Sequence, residues 1–172
     1  MVTRNDKYLL IVIRNPVPER MIMIILISYV DIANWHKERK FSATGGTYCG
    51  YHYVIDLDGT IEIGKPIDLV GCHCKASNAD SIGICYIGGL DEKGDPCDTR
   101  TYEQCESMMS LVTFLRHCFP KALIYGHRDL MPRDCPCFEV RHFFPTEWCA
   151  LASDTPCGGL VVTCKQVIIY SA

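Results

Sequence analysis

The chain has 172 residues, enough for one domain with a substantial core. Apolar residues make up 48% and charged residues 22%, which excludes a disordered tail or a fibre. The formal net charge is −3 with Lys and Arg scattered, so there is no basic footprint for nucleic acid.

Residues 8–13 form a continuous apolar run of strand length, and residues 21–27 form a second, rich in isoleucine. Both are far shorter than the roughly 20 residues that span a bilayer, so no membrane insertion is expected. Arg14 interrupts the first run and no small-residue cleavage site follows it, so no signal peptide is read there. The chain is then expected to be cytoplasmic as synthesised, with most of its 12 cysteines as free thiols. A leader removed ahead of residue 1 would instead make those cysteines a disulfide framework.

Asn15-Pro16-Val17-Pro18 is a turn-forming stretch. Residues 31–39 (DIANWHKER) read as a helix, with Lys37 and Arg39 near its end suiting the macrodipole. Residues 51–56 and 60–63 flank Leu57-Asp58-Gly59, the strongest hairpin signal in the chain. Residues 81–88 (SIGICYIG) read as a buried strand.

Thr101 followed by Gln104 is a capping box. It opens a helix running to about Cys118, with Leu111, Leu115 and Cys118 on one face and Pro120 as the stop. Residues 122–125 form a short strand that leads into Gly126-His127. Beyond Glu147 only a loop at 153–159 and a possible strand at 160–169 are legible. The order is mixed α and β around a sheet, in one domain over 1–172.

His127 and Cys135 stand eight positions apart in GHRDLMPRDC, a loop that leaves a strand. Imidazole and thiolate are both good zinc ligands, and a third ligand with an open fourth position would make a catalytic zinc. On spacing alone, a surface histidine and a buried cysteine that never meet fit better.

Three blocks carry more information: GYHYVIDLDGTIEIGKP, VGCHCKASNADSIGICYIGGLD and GHRDLMPRDCPCF. In this order and at these separations they resemble the zinc-dependent N-acetylmuramoyl-L-alanine amidases of the bacteriophage lysozyme type. Those enzymes share a fold with the peptidoglycan recognition proteins. The resemblance is strongest over 32–138, while 1–30 is atypical and 147–172 unassigned. It implies a central mixed β-sheet flanked by helices, with a groove for the glycopeptide. It also implies hydrolysis of the amide between N-acetylmuramic acid and L-alanine in peptidoglycan. The protein would act as a monomer, on the cell wall, after release from the cytoplasm.

Carried over by resemblance, His127 and Cys135 are metal ligands for zinc, and Tyr51 matches the family's catalytic tyrosine. Arg133 stands where the family has a lysine that stabilises the oxyanion; a guanidinium can also donate to an oxyanion, though it cannot give up a proton. His73, Lys75 and Asn78 fall in the block that resembles the groove wall and are candidate substrate contacts, or ordinary polar loop residues.

The pattern breaks upstream. The family takes its first zinc ligand from a histidine at the end of the first strand, but here no histidine precedes His36. The nearest match by context is Arg14, whose guanidinium has donors only and would repel the metal. His36, His52 or Cys49 could complete the site instead. Alternatively, the domain is a catalytically impaired or inactive peptidoglycan binder, with Arg14 filling the metal hole. A third reading is an altered N-terminus on an ordinary amidase.

Overall fold

A computed structural model describes residues 27–150 and 166–172. Arg14, the apolar run at 8–13 and the turn at 15–18 lie outside the described residues, as do 21–26 of the second run and the loop at 153–159.

The hairpin forms where the Asp-Gly pair demands it. Strand β1 (Tyr53–Ile55) pairs antiparallel with β2 (Ile61–Ile63), closing Tyr53 on Ile63 and Ile55 on Ile61. Gly59 sits at φ 84, a conformation that favours glycine, and a Cβ there would lie 2.8 Å from the Glu103 carbonyl oxygen. The turn is therefore pressed onto the following helix, where the Ser107 hydroxyl donates to the Gly59 carbonyl at 2.6 Å.

Strand β3 (Ser81–Tyr86) is buried along its whole length, as a strand covered on both faces must be. It runs parallel to β1, and two further strands continue the sheet: β4 (Ile124–Gly126) and β5 (Gln166–Ser171). The order is β2-β1-β3-β5-β4, so the last strand in sequence is inserted between β3 and β4. This is the mixed sheet that the sequence implies. Of the expected strand at 160–169, residues 166–169 lie in β5, which runs on to Ser171, and 160–165 lie outside the described residues.

Two helices cover the two faces. Helix α1 (Tyr29–Glu38) begins where the Asp31 carboxylate accepts from the Ser28 N–H at 2.9 Å and from its hydroxyl at 2.8 Å. Helix α2 (Tyr102–Cys118) carries the expected capping box. The Gln104 N–H donates to the Thr101 hydroxyl, and the Thr101 N–H to the Gln104 side-chain oxygen, each at 3.0 Å. The buried stripe of α2 is Gln104, Met108, Leu111, Val112 and Leu115. Cys118 does not extend it and is exposed; one turn beyond Leu115 the stripe falls on Phe119, which packs against the core.

Parallel partners in register point to the same face. Ile84, Ile169 and Ile124 therefore meet α2, together with Phe138, Phe144 and the short helix α3 (Val140–Phe143). Val54, Cys85, Ile168 and Tyr170 project from the opposite face and pack with Ile32 of α1, Cys49, Tyr51 and Tyr125. That second face carries the polar residues singled out from the sequence. No helix among the described residues is long and apolar enough to cross a membrane. The ten described cysteines are free thiols.

Candidate active site

The site is assembled by backbone stitches between loops. The Gly50 N–H donates to Nδ1 of His36 at 2.9 Å, and the Cys72 N–H donates to the Gly50 carbonyl at 2.9 Å. A Cβ on Gly50 would lie 2.3 Å from the Cys72 carbonyl oxygen, so only glycine permits this approach. Helix α1 thereby fixes the segment before β1, and that segment fixes the loop carrying His73. As a result the rings of Tyr51 and His73 stack with centroids 6.3 Å apart.

Asn78 builds the same wall. Its side-chain oxygen accepts from the N–H groups of His73 at 2.9 Å and Cys74 at 2.8 Å, so that oxygen holds the loop's shape rather than facing a ligand. Lys75 is exposed on the same loop. His73 lies directly over β3: a Cβ on Gly83 would come within 2.6 Å of its ring.

His127 follows β4 in a short 3-10 turn, His127–Asp129, closed by the Asp129 carboxylate accepting from the Gly126 N–H at 2.7 Å. The Arg128 N–H donates to the Cys135 carbonyl at 2.6 Å, which folds the rest of the loop back beside His127. Burial, with the Arg133 charge adding to it, pushes the His127 imidazole down to about 4, so it is neutral at pH 7. Burial pushes the Cys135 thiol up, opposed by hydrogen bonding from Ser171 and less strongly by Arg133. Arg133 itself is exposed. Its charge thus reaches both His127 and Cys135 from the solvent side.

What joins the two halves is a residue that the sequence did not single out. The β4–β5 register pairs Gly126 with Ile169, so one step further His127 stands beside Tyr170. Their ring centroids are 4.7 Å apart. Tyr170 is almost fully buried; its hydroxyl is 2.8 Å from Nδ1 of His73 and its ring centroid 5.1 Å from that of Tyr51. The next residue, Ser171, donates its N–H to the Cys135 sulfur at 3.2 Å. Only the alternating pattern of a strand could have pointed to Tyr170, and the stretch around it resembles no motif.

Among the candidates for a replacement ligand, His52 is committed elsewhere. Its Nδ1 accepts from the Gly83 N–H at 3.0 Å, so Nε2 carries the proton and donates to the Leu69 carbonyl at 3.1 Å. His36 stacks on Phe41 with its Nδ1 held by Gly50, and Cys49 is buried, its thiol pushed up to about 11 by burial. Among the described residues, no group of three or more His, Cys, Asp or Glu could hold a metal ion. A catalytic zinc takes three protein ligands; His127 and Cys135 are the right donor types, and the described residues bring no third beside them.

A sheet with parallel inner strands, and a histidine and a phenol at the carboxyl ends of two of them, defines an α/β protein with its site where such sheets bind ligands. The chain belongs to the N-acetylmuramoyl-L-alanine amidase family (Amidase_2), whose sequence model matches residues 18–138. It is 39% identical over 116 residues to the endolysin of Enterobacteria phage K11, covering 67% of this chain and 74% of that protein. It is 37% identical over 114 residues to the endolysin of Klebsiella phage KP32, covering 66% and 72%. Peptidoglycan-recognition protein LB of Drosophila melanogaster is 24% identical over 106 residues, 62% of this chain and 43% of that protein. The family match includes Tyr51, His73, Lys75, Asn78, His127, Arg133 and Cys135, and stops short of β5.

Proposed function

We propose that this domain binds the junction between N-acetylmuramic acid and L-alanine in peptidoglycan and hydrolyses its amide, with a metal site short of one ligand. The observation that carries this reading is the convergence of Tyr51, His73 and His127 around one point on one face of the sheet, all from the segment that matches the amidase family. The peptidoglycan target follows from that family and from the relatives' names.

Amide hydrolysis needs an oriented water and stabilisation of the charge that forms on the carbonyl oxygen. The Tyr51 hydroxyl would orient the water. The Arg133 guanidinium would face the developing oxyanion, with its charge fixed at every working pH. His73 and Lys75 would line the glycopeptide groove, while Asn78 holds the backbone that presents them. His127 and Cys135 are the residues toward which a zinc ion would be drawn. The action would fall on the cell wall after release from the cytoplasm, as the resemblance to endolysins suggests.

A second reading, a peptidoglycan binder with weak turnover, is favoured by one observation: the Tyr170 ring lies against His127, and the Ser171 N–H against the Cys135 sulfur. Purified peptidoglycan incubated with the chain in excess zinc tests both. New L-alanine amino termini are expected, slowly released, together with saturable binding of a muramyl peptide. The absence of both binding and release would contradict the proposal.

A further inference from the structure

We infer that Tyr170, delivered by the carboxyl-terminal strand β5, occupies the position of the missing third metal ligand and blocks it, so that a single change at residue 170 completes the site. The inference rests on the amidase reading only for the identity of the metal.

Three observations place residue 170 at that corner. The sheet register sets it beside Cys85 on one side, and one step beyond the Gly126–Ile169 pair on the other side comes His127. The ring contact with His127, tilted at 51° with 4.7 Å between centroids, puts the two side chains against each other rather than merely on neighbouring segments. The N–H of the adjacent Ser171 touches the Cys135 sulfur at 3.2 Å, so the backbone of β5 passes within reach of both donors. Both donors therefore stand against β5, His127 at Tyr170 and Cys135 at the adjacent Ser171.

The phenol is a block rather than a ligand. It has a single oxygen, and that oxygen is engaged by Nδ1 of His73 at 2.8 Å, on the groove-wall side. The surface it presents to His127 is the ring itself. Gly83 allows this arrangement, because any side chain there would drive His73 away from the phenol. His73 thus links the groove wall to the blocked corner.

The test compares the full chain with Tyr170→His, Tyr170→Cys and Tyr170→Phe. Zinc affinity is read by competition with a chromophoric chelator, and cobalt(II) substitution reports thiolate ligation by its visible absorption. Tyr170→His should bind zinc at least about 100-fold tighter than the parent, because a first-shell ligand is worth more than the outer-shell partners that give about 10–100-fold. Its cobalt form should show the thiolate band, and adding Cys135→Ser should abolish that band. Tyr170→Cys, a smaller ligating side chain, should gain affinity in the same direction and carries the test if Tyr170→His does not fold. Tyr170→Phe removes the oxygen, keeps the ring and should leave affinity unchanged.

Loss of zinc affinity in Tyr170→Phe would make the phenol a ligand and overturn the inference. So would a parent that binds zinc as tightly as Tyr170→His, or folded histidine and cysteine variants with no gain. Muramyl-peptide binding is followed in the same samples. Gained zinc without peptide binding sinks the amidase reading alone, and peptide binding without gained zinc sinks the assignment of residue 170 alone.

Discussion

The loop carrying His127 and Cys135 and the strand carrying Tyr170 meet at one point, yet they are built in opposite ways. The loop is local: the Asp129 carboxylate closes its first turn, and the Arg128 N–H returns to the Cys135 carbonyl within the same short segment. The strand has no local reason to sit where it does. It is held on both sides by partners far away in sequence, Ser81 to Tyr86 and Ile124 to Gly126. A local motif keeps its meaning when read as a string, whereas a central strand acquires one only from its neighbours.

The largest effect that can break this comparison is removal of β5. Val167, Ile168 and Ile169 are fully buried and Tyr170 is 1% exposed, so deleting 166–172 strips the middle of the sheet. The expected result is loss of cooperative unfolding, since four buried side chains at about 1.5–3 kcal/mol each are comparable to the roughly 5–15 kcal/mol by which domains are stable. Urea denaturation followed by circular dichroism measures it. A truncated chain that still unfolds cooperatively would show that another segment can fill the slot.

Acid is next. Burial, then the charges of Arg39 and Lys65, hold His36 at about 4, whereas a free histidine titrates near 6.5. The unfolded chain therefore takes up the extra proton between those values, and stability falls as pH drops through that window. The slope reaches about 1.4 kcal/mol per pH unit for this one group. Urea midpoints at pH 7 and pH 4.5 should differ accordingly, and His36→Gln should flatten the dependence. An unchanged slope in that variant would remove His36 as the cause.

A change at the seam between loop wall and strand should cost less. Gly83→Ala places a methyl group 2.6 Å from the His73 ring, and overpacking of this kind costs about 1–3 kcal/mol. The histidine should also lose its contact with Tyr170, visible as a shift of its ring proton resonances. Wild-type stability and unchanged His73 resonances would contradict the packing described.

The smallest effect belongs to a feature that is wholly local. Thr101→Ala removes the hydroxyl that accepts from Gln104 and donates to the Leu57 carbonyl, and should cost about 1 kcal/mol. A neutral change would mean that the Gln104 side chain, bonded to the Ile55 and Ile87 carbonyls, fixes the helix start without it.

The same contrast explains what could be read in advance. The Asp-Gly hairpin, the Thr101 capping box and the buried run SIGICY announce themselves within a few residues, and each is present. A long matching block marks out the loop of His73, Lys75 and Asn78, but not its division of labour. Asn78 spends its oxygen on two backbone N–H groups, and nothing in its position along the chain says so. For the third ligand the family's first strand points upstream, to Arg14. The strand that the described sheet places at the site comes from the other end of the chain, and its pairing depends on contacts more than 35 residues apart, such as Ser171 with Cys135. His36 and His52 looked like spare donors, yet both are hydrogen-bonded to the backbone, His36 by Gly50 and His52 by Gly83 and Leu69.

The proposed site joins a substrate groove and two donors, with Tyr170 standing at the third. The most direct measurement is the initial rate at which new L-alanine amino termini appear from purified peptidoglycan in saturating zinc, for the parent chain and for Tyr170→His. The account predicts a slow parent and a gain of at least about 100-fold in the variant, in line with restoring a metal ligand. Equal rates, or a parent faster than the variant, would contradict it.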